Sequence, residues 1–215
     1  MINKNSAPRP RGRPRAFDRN RALAAATAAF WQLGYEGASI ADLTTAMGIT
    51  PQSLYAAFTS KADLYREALQ QYLANAGAFG VRALEEEKDA VIAFERLLRE
   101  AAAEYTRNDQ PRGCMVSIAV SACAVENAPI AAHAAALRAE LFDLFRRRIE
   151  RGIKERHFAA GTDPAALARY VQVILQGISL QARDGAGKAE LLAVAAVAAA
   201  ELRRHGTLGR GKRKS

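Results

Sequence analysis

Ser39, Thr50, Gln52, Ser53, Tyr55 and Lys61 fall within residues 39–61. They offer hydroxyls, a carboxamide, a phenol and an ammonium. None forms a nucleophile–base pair, and none is part of a metal-donor set. Such groups hydrogen-bond base edges and phosphate oxygens. Gln52 could pair bidentately with an adenine, and Tyr55 could donate to a phosphate. Lys61 opens a predicted helix, where its charge and the free N–H groups of the helix end could share a phosphate. Ser39 has a comparable place.

The elements that would carry these groups are two short helices around a tight turn. Ser39 precedes an apolar run, with Asp42 three residues on, which reads as an N-cap with a capping-box partner. Ile40, Leu43 and Met47 share a face, and Gly48 stops the helix where a left-handed residue is cheap. Thr50 caps the second helix, Pro51 sits in its first turn, and Leu54 and Phe58 face inward. Gln52, Ser53 and Tyr55 then point outward. A second helix that opens on short polar groups is the recognition helix of a helix-turn-helix.

Over A-A-F-W-Q-L-G-Y-E-G-A-S-I-A-D-L (28–43) and M-G-I-T-P-Q-S-L-Y-A-A-F-T-S-K-A-D-L (47–64), the chain resembles the TetR/AcrR family of transcriptional regulators. The resemblance is specific over residues 16–70. It implies an all-α protein with a three-helix DNA-binding head and a helical ligand-binding and dimerisation body, about nine helices in all. Residues 1–17 would be a basic arm, 18–62 the helix-turn-helix domain, 63–205 the body and 206–215 a basic tail. The implied activity is that of a ligand-responsive repressor, a homodimer on a pseudo-palindromic operator of double-stranded DNA. A small apolar ligand would tilt the fourth helix and change the separation of the heads.

The helical reading continues along the chain. Asp18 caps a first helix to about Leu33, with Leu23, Ala26, Phe30 and Leu33 inside, and Gly34 ends it. Further helices are predicted from Ser60 toward 78, over 84–106, from Gly113 to about 126, and from Pro129 to about 157. Two more are predicted from Asp163 to 183 and over 188–205. In the helix from Pro129 the stripe Leu137, Leu141, Phe145, Ile149 and Ile153 faces inward. Arg146, Arg147, Arg148 and Arg151 fall mostly off it, on a solvated face. The resemblance places a ligand pocket among the middle helices, with Phe94, Tyr105, Cys114, Met115, Ile118, His133, Phe142 and Tyr170 as candidates. The helix after Asp163 is apolar nearly all round, and small residues fill the last one. Here the resemblance implies a dimeric four-helix seam through Tyr170, Ile174, Gly177, Ile178, Leu191 and Val194.

The net charge of +9 sits at the ends. Residues 1–21 hold seven Lys or Arg against Asp18, residues 203–215 hold six and no acid, and the stretch between is mildly acidic. Cationic ends suit a polyanion. Pro10-Arg11-Gly12-Arg13-Pro14-Arg15 resembles an AT-hook core, and Arg11, Arg13 and Arg15 would reach phosphates or a minor groove. The same ends also fit a rival class, an architectural or non-specific DNA-binding protein with the body as a dimerisation platform.

Other classes find little support. There is no Gly-rich phosphate loop, no nucleophile elbow and no closely spaced His–acid pair, so an enzyme is not expected. His133, His157 and His205 lack ligand spacing, and no metal or cofactor is expected. Cys114 and Cys123 lie nine residues apart on one predicted helix, about 13–14 Å of rise. That exceeds the roughly 7 Å a disulfide allows, so both read as small core residues. The longest apolar run, residues 191–200, is too short for a bilayer, and no secretory leader is visible. A cytoplasmic location and no membrane partner are expected.

Overall fold

The Asp18 carboxylate accepts from the backbone N–H groups of Asn20 and Arg21 at 2.9 and 3.2 Å, and so starts α1 (Arg19–Gly37). The computed structural model describes residues 17–119 and 123–207. Gly34, at φ 75°, kinks α1 three residues before its end. The inward stripe of α1 differs at one place. Leu33 is 46% exposed, and Trp31 and Tyr35 are buried instead.

The next three helices begin on the expected signals, though α4 ends at Ala74, short of the expected 78. In α2 (Ile40–Met47) the Ser39 hydroxyl accepts from Asp42 N–H, and the Asp42 carboxylate accepts from Ser39 N–H. Gly48 closes α2 at φ 67°. Thr50 caps α3 (Pro51–Phe58), and Ser60 caps α4 (Lys61–Ala74). The head core is Phe30, Tyr35, Leu43, Leu54, Phe58 and Tyr65. Tyr65 meets Phe30 edge-on at 4.9 Å, so α4 closes the head as well as leading out of it.

The predicted helix over 84–106 is two helices, α5 (Phe79–Glu86) and α6 (Ala90–Glu104), the second capped by Asp89. Arg148, expected on a solvated face, is 5% exposed and bridges that break. Its guanidinium donates to the carbonyls of Leu84, Glu87 and Lys88 at 2.9–3.1 Å. Those carbonyls end α5 and would otherwise lack partners.

The helix predicted over 113–126 is absent from its described residues, 113–119 and 123–126. Residues 115–119 make turns, and a 3₁₀ turn spans Val125–Asn127. Distant side chains satisfy its backbone instead. Cys114 N–H donates to Ser179 Oγ at 2.7 Å, and Arg138 donates to the carbonyls of Val116 and Ala119. Gly113 holds φ 80° there, and a Cβ would lie 2.7 Å from the Ser179 carbonyl oxygen. The two free thiols, Cys114 and Cys123, therefore share no helix.

The body is completed by α7 (Ala128–Lys154), α8 (Pro164–Arg183) and α9 (Lys188–His205). Asp163 caps α8 as expected. Among the described residues there are nine α-helices and one isolated bridge, Phe158 to Gly206. The α6 helix packs against α5, α7, α8 and α9 and so lies at the centre of the body.

Candidate DNA interface and body cavity

Leu54 and Phe58 anchor α3 inward at 0% and 2% exposure, which turns Gln52, Tyr55 and Ala56 to the outside. Tyr55 is 49% exposed. Thr50 Oγ1 accepts from Ser53 N–H at 3.2 Å and lies 3.0 Å from Ser53 Oγ, so these two hydroxyls hold one another at the helix start. Arg19 fixes the far end of α3. Its guanidinium lies 4.3 Å from the Phe58 ring centroid, donates to the Ala57 carbonyl, and forks onto Glu67 of α4 at 2.8 Å. Arg19, counted with the cationic N-terminal stretch, is thus engaged within the fold. Its 48-residue reach to Glu67 leaves no local signal.

Ser39 and Lys61 differ from simple outward groups. The Ser39 hydroxyl lies 2.6 Å from Asp42 Oδ2, and hydrogen bonds from Ser39 hold that carboxyl below the usual aspartate range. A carboxylate thus occupies the N-terminus of α2. Lys61 is half-buried, its Nζ 4.5 Å from the Tyr35 ring centroid. Burial lowers its pKa from the ordinary lysine value, and the Glu36 carboxylate opposes that shift. The turn before Lys61 is strained. Thr59 has φ 61° and ψ −52°, and Ser60 N–H donates back to the Phe58 carbonyl. A positive-φ γ-turn of this kind is rare for a β-branched residue.

The folded head is electrically balanced. Across residues 18–62, Arg19, Arg21 and Lys61 stand against Asp18, Glu36 and Asp42. Arg11, Arg13 and Arg15 lie outside the described residues.

Behind the head lies a cavity of about 320 Å³. Its walls come from Tyr72 and Leu73 of α4, Leu97 of α6, Leu141 and Leu144 of α7, and Leu175 of α8. Of the expected ligand residues, Tyr105 and Cys114 line it and the other six do not. Phe94 is fully buried between Phe145 and Phe158, and Met115 is core. Ile118 and Tyr170 are half-buried against that core. His133 is half-buried with Nε2 lacking a partner, and Phe142 lies 4.0 Å beneath the Arg169 guanidinium. Leu137 and Leu141, read as plain core, also line the cavity.

Head and body are tied by the packing of α1 on α4 and by further contacts. Arg183 of α8 donates to the carbonyls of Trp31 and Gln32 in α1, at 2.9 and 2.5 Å. Glu36 accepts from Ala124 N–H and Asn127 Nδ2. Trp31 meets Tyr72 edge-on at 4.8 Å.

The expected dimer residues divide. Ile178 and Leu191 are 1% and 2% exposed, buried in the chain's own core. Val194 and Gly177 are exposed, Tyr170 and Ile174 half-buried. Val173, Leu180 and Val197, between 52% and 72% exposed, extend that apolar face. Nothing lies within 4 Å of a Cβ built on Gly177.

Among the described residues no helix is long and apolar enough to cross a membrane, and no cluster of His, Cys, Asp and Glu could hold a metal.

Residues 22–68 match a family described as bacterial regulatory proteins, tetR family, and residues 93–198 match a tetracyclin repressor-like C-terminal domain. The HTH-type transcriptional repressor ComR of Escherichia coli (strain K12) is 35% identical over 191 residues, covering 86% of this chain and 89% of the relative. The repressor BdcR of the same strain is 30% identical over 201 residues, 92% and 95% of the two chains. A cysteine mutant of the TetR family transcriptional regulator CifR, solved with 26-bp double-strand operator DNA, superposes with a TM-score of 0.85. It is 44% identical, over 88% of this chain and 98% of that one.

Proposed function

Since the chain belongs to the TetR family of bacterial regulatory proteins, we propose that it is a ligand-responsive transcriptional repressor, binding a pseudo-palindromic operator as a homodimer. The observation that carries this reading is α3, with Gln52 and Tyr55 turned outward on a helix that Leu54, Phe58 and Arg19 hold rigid. In this reading residues 18–62 form the head and 63–205 the body. Thr50, Gln52, Ser53 and Tyr55 enter the major groove, and Lys61 approaches a phosphate beside it. Arg11, Arg13 and Arg15 add phosphate or minor-groove contacts. Ser39 is an α2 cap first, because Asp42 holds its hydroxyl.

The dimer face we assign is Tyr170, Val173, Ile174, Gly177 and Leu180 of α8 with Val194 and Val197 of α9. Two heads related by a two-fold axis would then read half-sites about one DNA turn apart. The cavity supports ligand control. Tyr72 and Leu73 of α4 are part of its wall, and the same helix carries Lys61 and closes the head core. The chain acts on DNA in the cytoplasm and needs no catalytic step.

Footprinting across the DNA flanking the chain's own gene tests the reading. A discrete protected palindrome supports it. Uniform protection that follows length rather than sequence would favour an architectural protein working through its basic ends.

A further inference from the structure

The polar groups around the cavity differ in what they still have to offer. Arg138 donates through Nη1 to the carbonyls of Val116 and Ala119. Gln172 donates to the Arg138 carbonyl at 2.7 Å and accepts from Arg169 at 2.6 Å, so both ends of its amide are engaged. Glu140 and Arg147, the other charged residues on the wall, are of opposite sign and solvent-exposed. They sit at the rim. Arg138 is the one cation of the inner wall, and its Nη1 is held by the Val116 and Ala119 carbonyls while, among the described residues, no carboxylate pairs with it.

The inner wall holds two phenols. Tyr72 is 3% exposed and Tyr105 is 6% exposed, and both face the Cys114 thiol. Sulfur is a weak hydrogen-bond partner, so the Tyr105 hydroxyl keeps most of its donor capacity. Burial, with the nearby Cys114 sulfur, pushes both phenols well above the ordinary tyrosine range. They remain neutral donors at any physiological pH.

Building on the repressor reading, we infer that the cavity takes a small uncharged molecule, largely hydrocarbon, whose one oxygen acceptor meets Tyr105 and Tyr72 while Leu97, Leu141, Leu144 and Leu175 enclose the rest. A cation would shed its hydration with no inner-wall carboxylate to meet it, which excludes ammonium compounds, and a carboxylate would find only Arg138, whose Nη1 the Val116 and Ala119 carbonyls already hold. A pure hydrocarbon would leave the buried hydroxyl without a strong partner. A cavity of about 320 Å³ lies at the small end of ligand sites, so the molecule is compact.

Three one-ring probes separate these cases by calorimetry on the full chain: acetophenone, benzoate and ethylbenzene. Acetophenone should bind most tightly. Tyr105→Phe should weaken acetophenone by about 3- to 10-fold, the worth of one hydrogen bond, and leave ethylbenzene unchanged. Tyr72→Phe gives the same comparison should Tyr105→Phe lower the melting temperature. The inference is overturned if benzoate binds as tightly as acetophenone, if no acetophenone heat is seen at its solubility limit, or if neither variant discriminates it from ethylbenzene. Acetophenone binding with no change in operator affinity would uphold this ligand class and refute ligand control, so the two readings fail separately.

Discussion

Removing residues 2–15 should change how salt controls operator binding far more than which operator is bound. Those residues carry Lys4, Arg9, Arg11, Arg13 and Arg15 and no acid. The folded head can contribute little long-range attraction, since its three cations face three carboxylates and Arg19 is already paired with Glu67. If about three cations of each arm meet phosphates, a dimer makes about six such contacts, and log K falls with log salt by about 5 units on their account. Between about 50 and 200 mM salt that is roughly a thousandfold in affinity. Anisotropy titrations of an operator duplex over this range read the slope directly. The deletion variant should show a slope shallower by about 5, with the two curves converging toward 1 M salt and the footprint keeping its boundaries. A slope within one unit of the full chain's would refute the reasoning, because the counterions released would then come from elsewhere.

Lys61→Ala should reduce the salt slope by about 2 for a dimer, one contact per head, and lower stability by about 0.5–1 kcal/mol through the lost contact with Tyr35; an unchanged slope removes its phosphate role. Thr59→Gly should raise stability by about 1 kcal/mol by releasing the strained turn, read as denaturation midpoint, and a loss instead would mean the turn is relaxed. Arg148→Ala should cost about 3 kcal/mol, since the carbonyls of Leu84, Glu87 and Lys88 lose their donor, and a melting temperature within error of the parent would contradict that role. Gly177→Leu meets nothing inside the chain, so it should leave the helical circular dichroism intact while sedimentation shows dimer loss. The contrasting variant is Gly152→Ala, whose Cβ would lie 2.7 Å from Ala90 Cβ, and which should destabilise the fold itself.

The starts of α1 to α4 and of α8, and the turn between α2 and α3, were legible in the sequence because each depends on residues within one turn of one another. Ser39 with Asp42, Gly48, Thr50 with Pro51, and Asp163 with Pro164 act through backbone groups two to four positions away. The charge at the ends of the chain needs no structure at all. Other features were decided by residues far apart in the chain. Arg148 looks like any helix-face arginine until α5 ends beneath it, about 60 positions away. The 113–126 segment has helical residue types, but Ser179 and Arg138 satisfy its backbone first, so the local preference loses. Ile178 and Val173 carry the same apolar signal on α8, and only the packing of the other helices against that one says which faces the core and which faces outward. The cavity follows the same rule. Leu141 and Tyr105 have the composition of core residues, and a void between them exists only because helices of fixed length and side-chain volume fail to meet there.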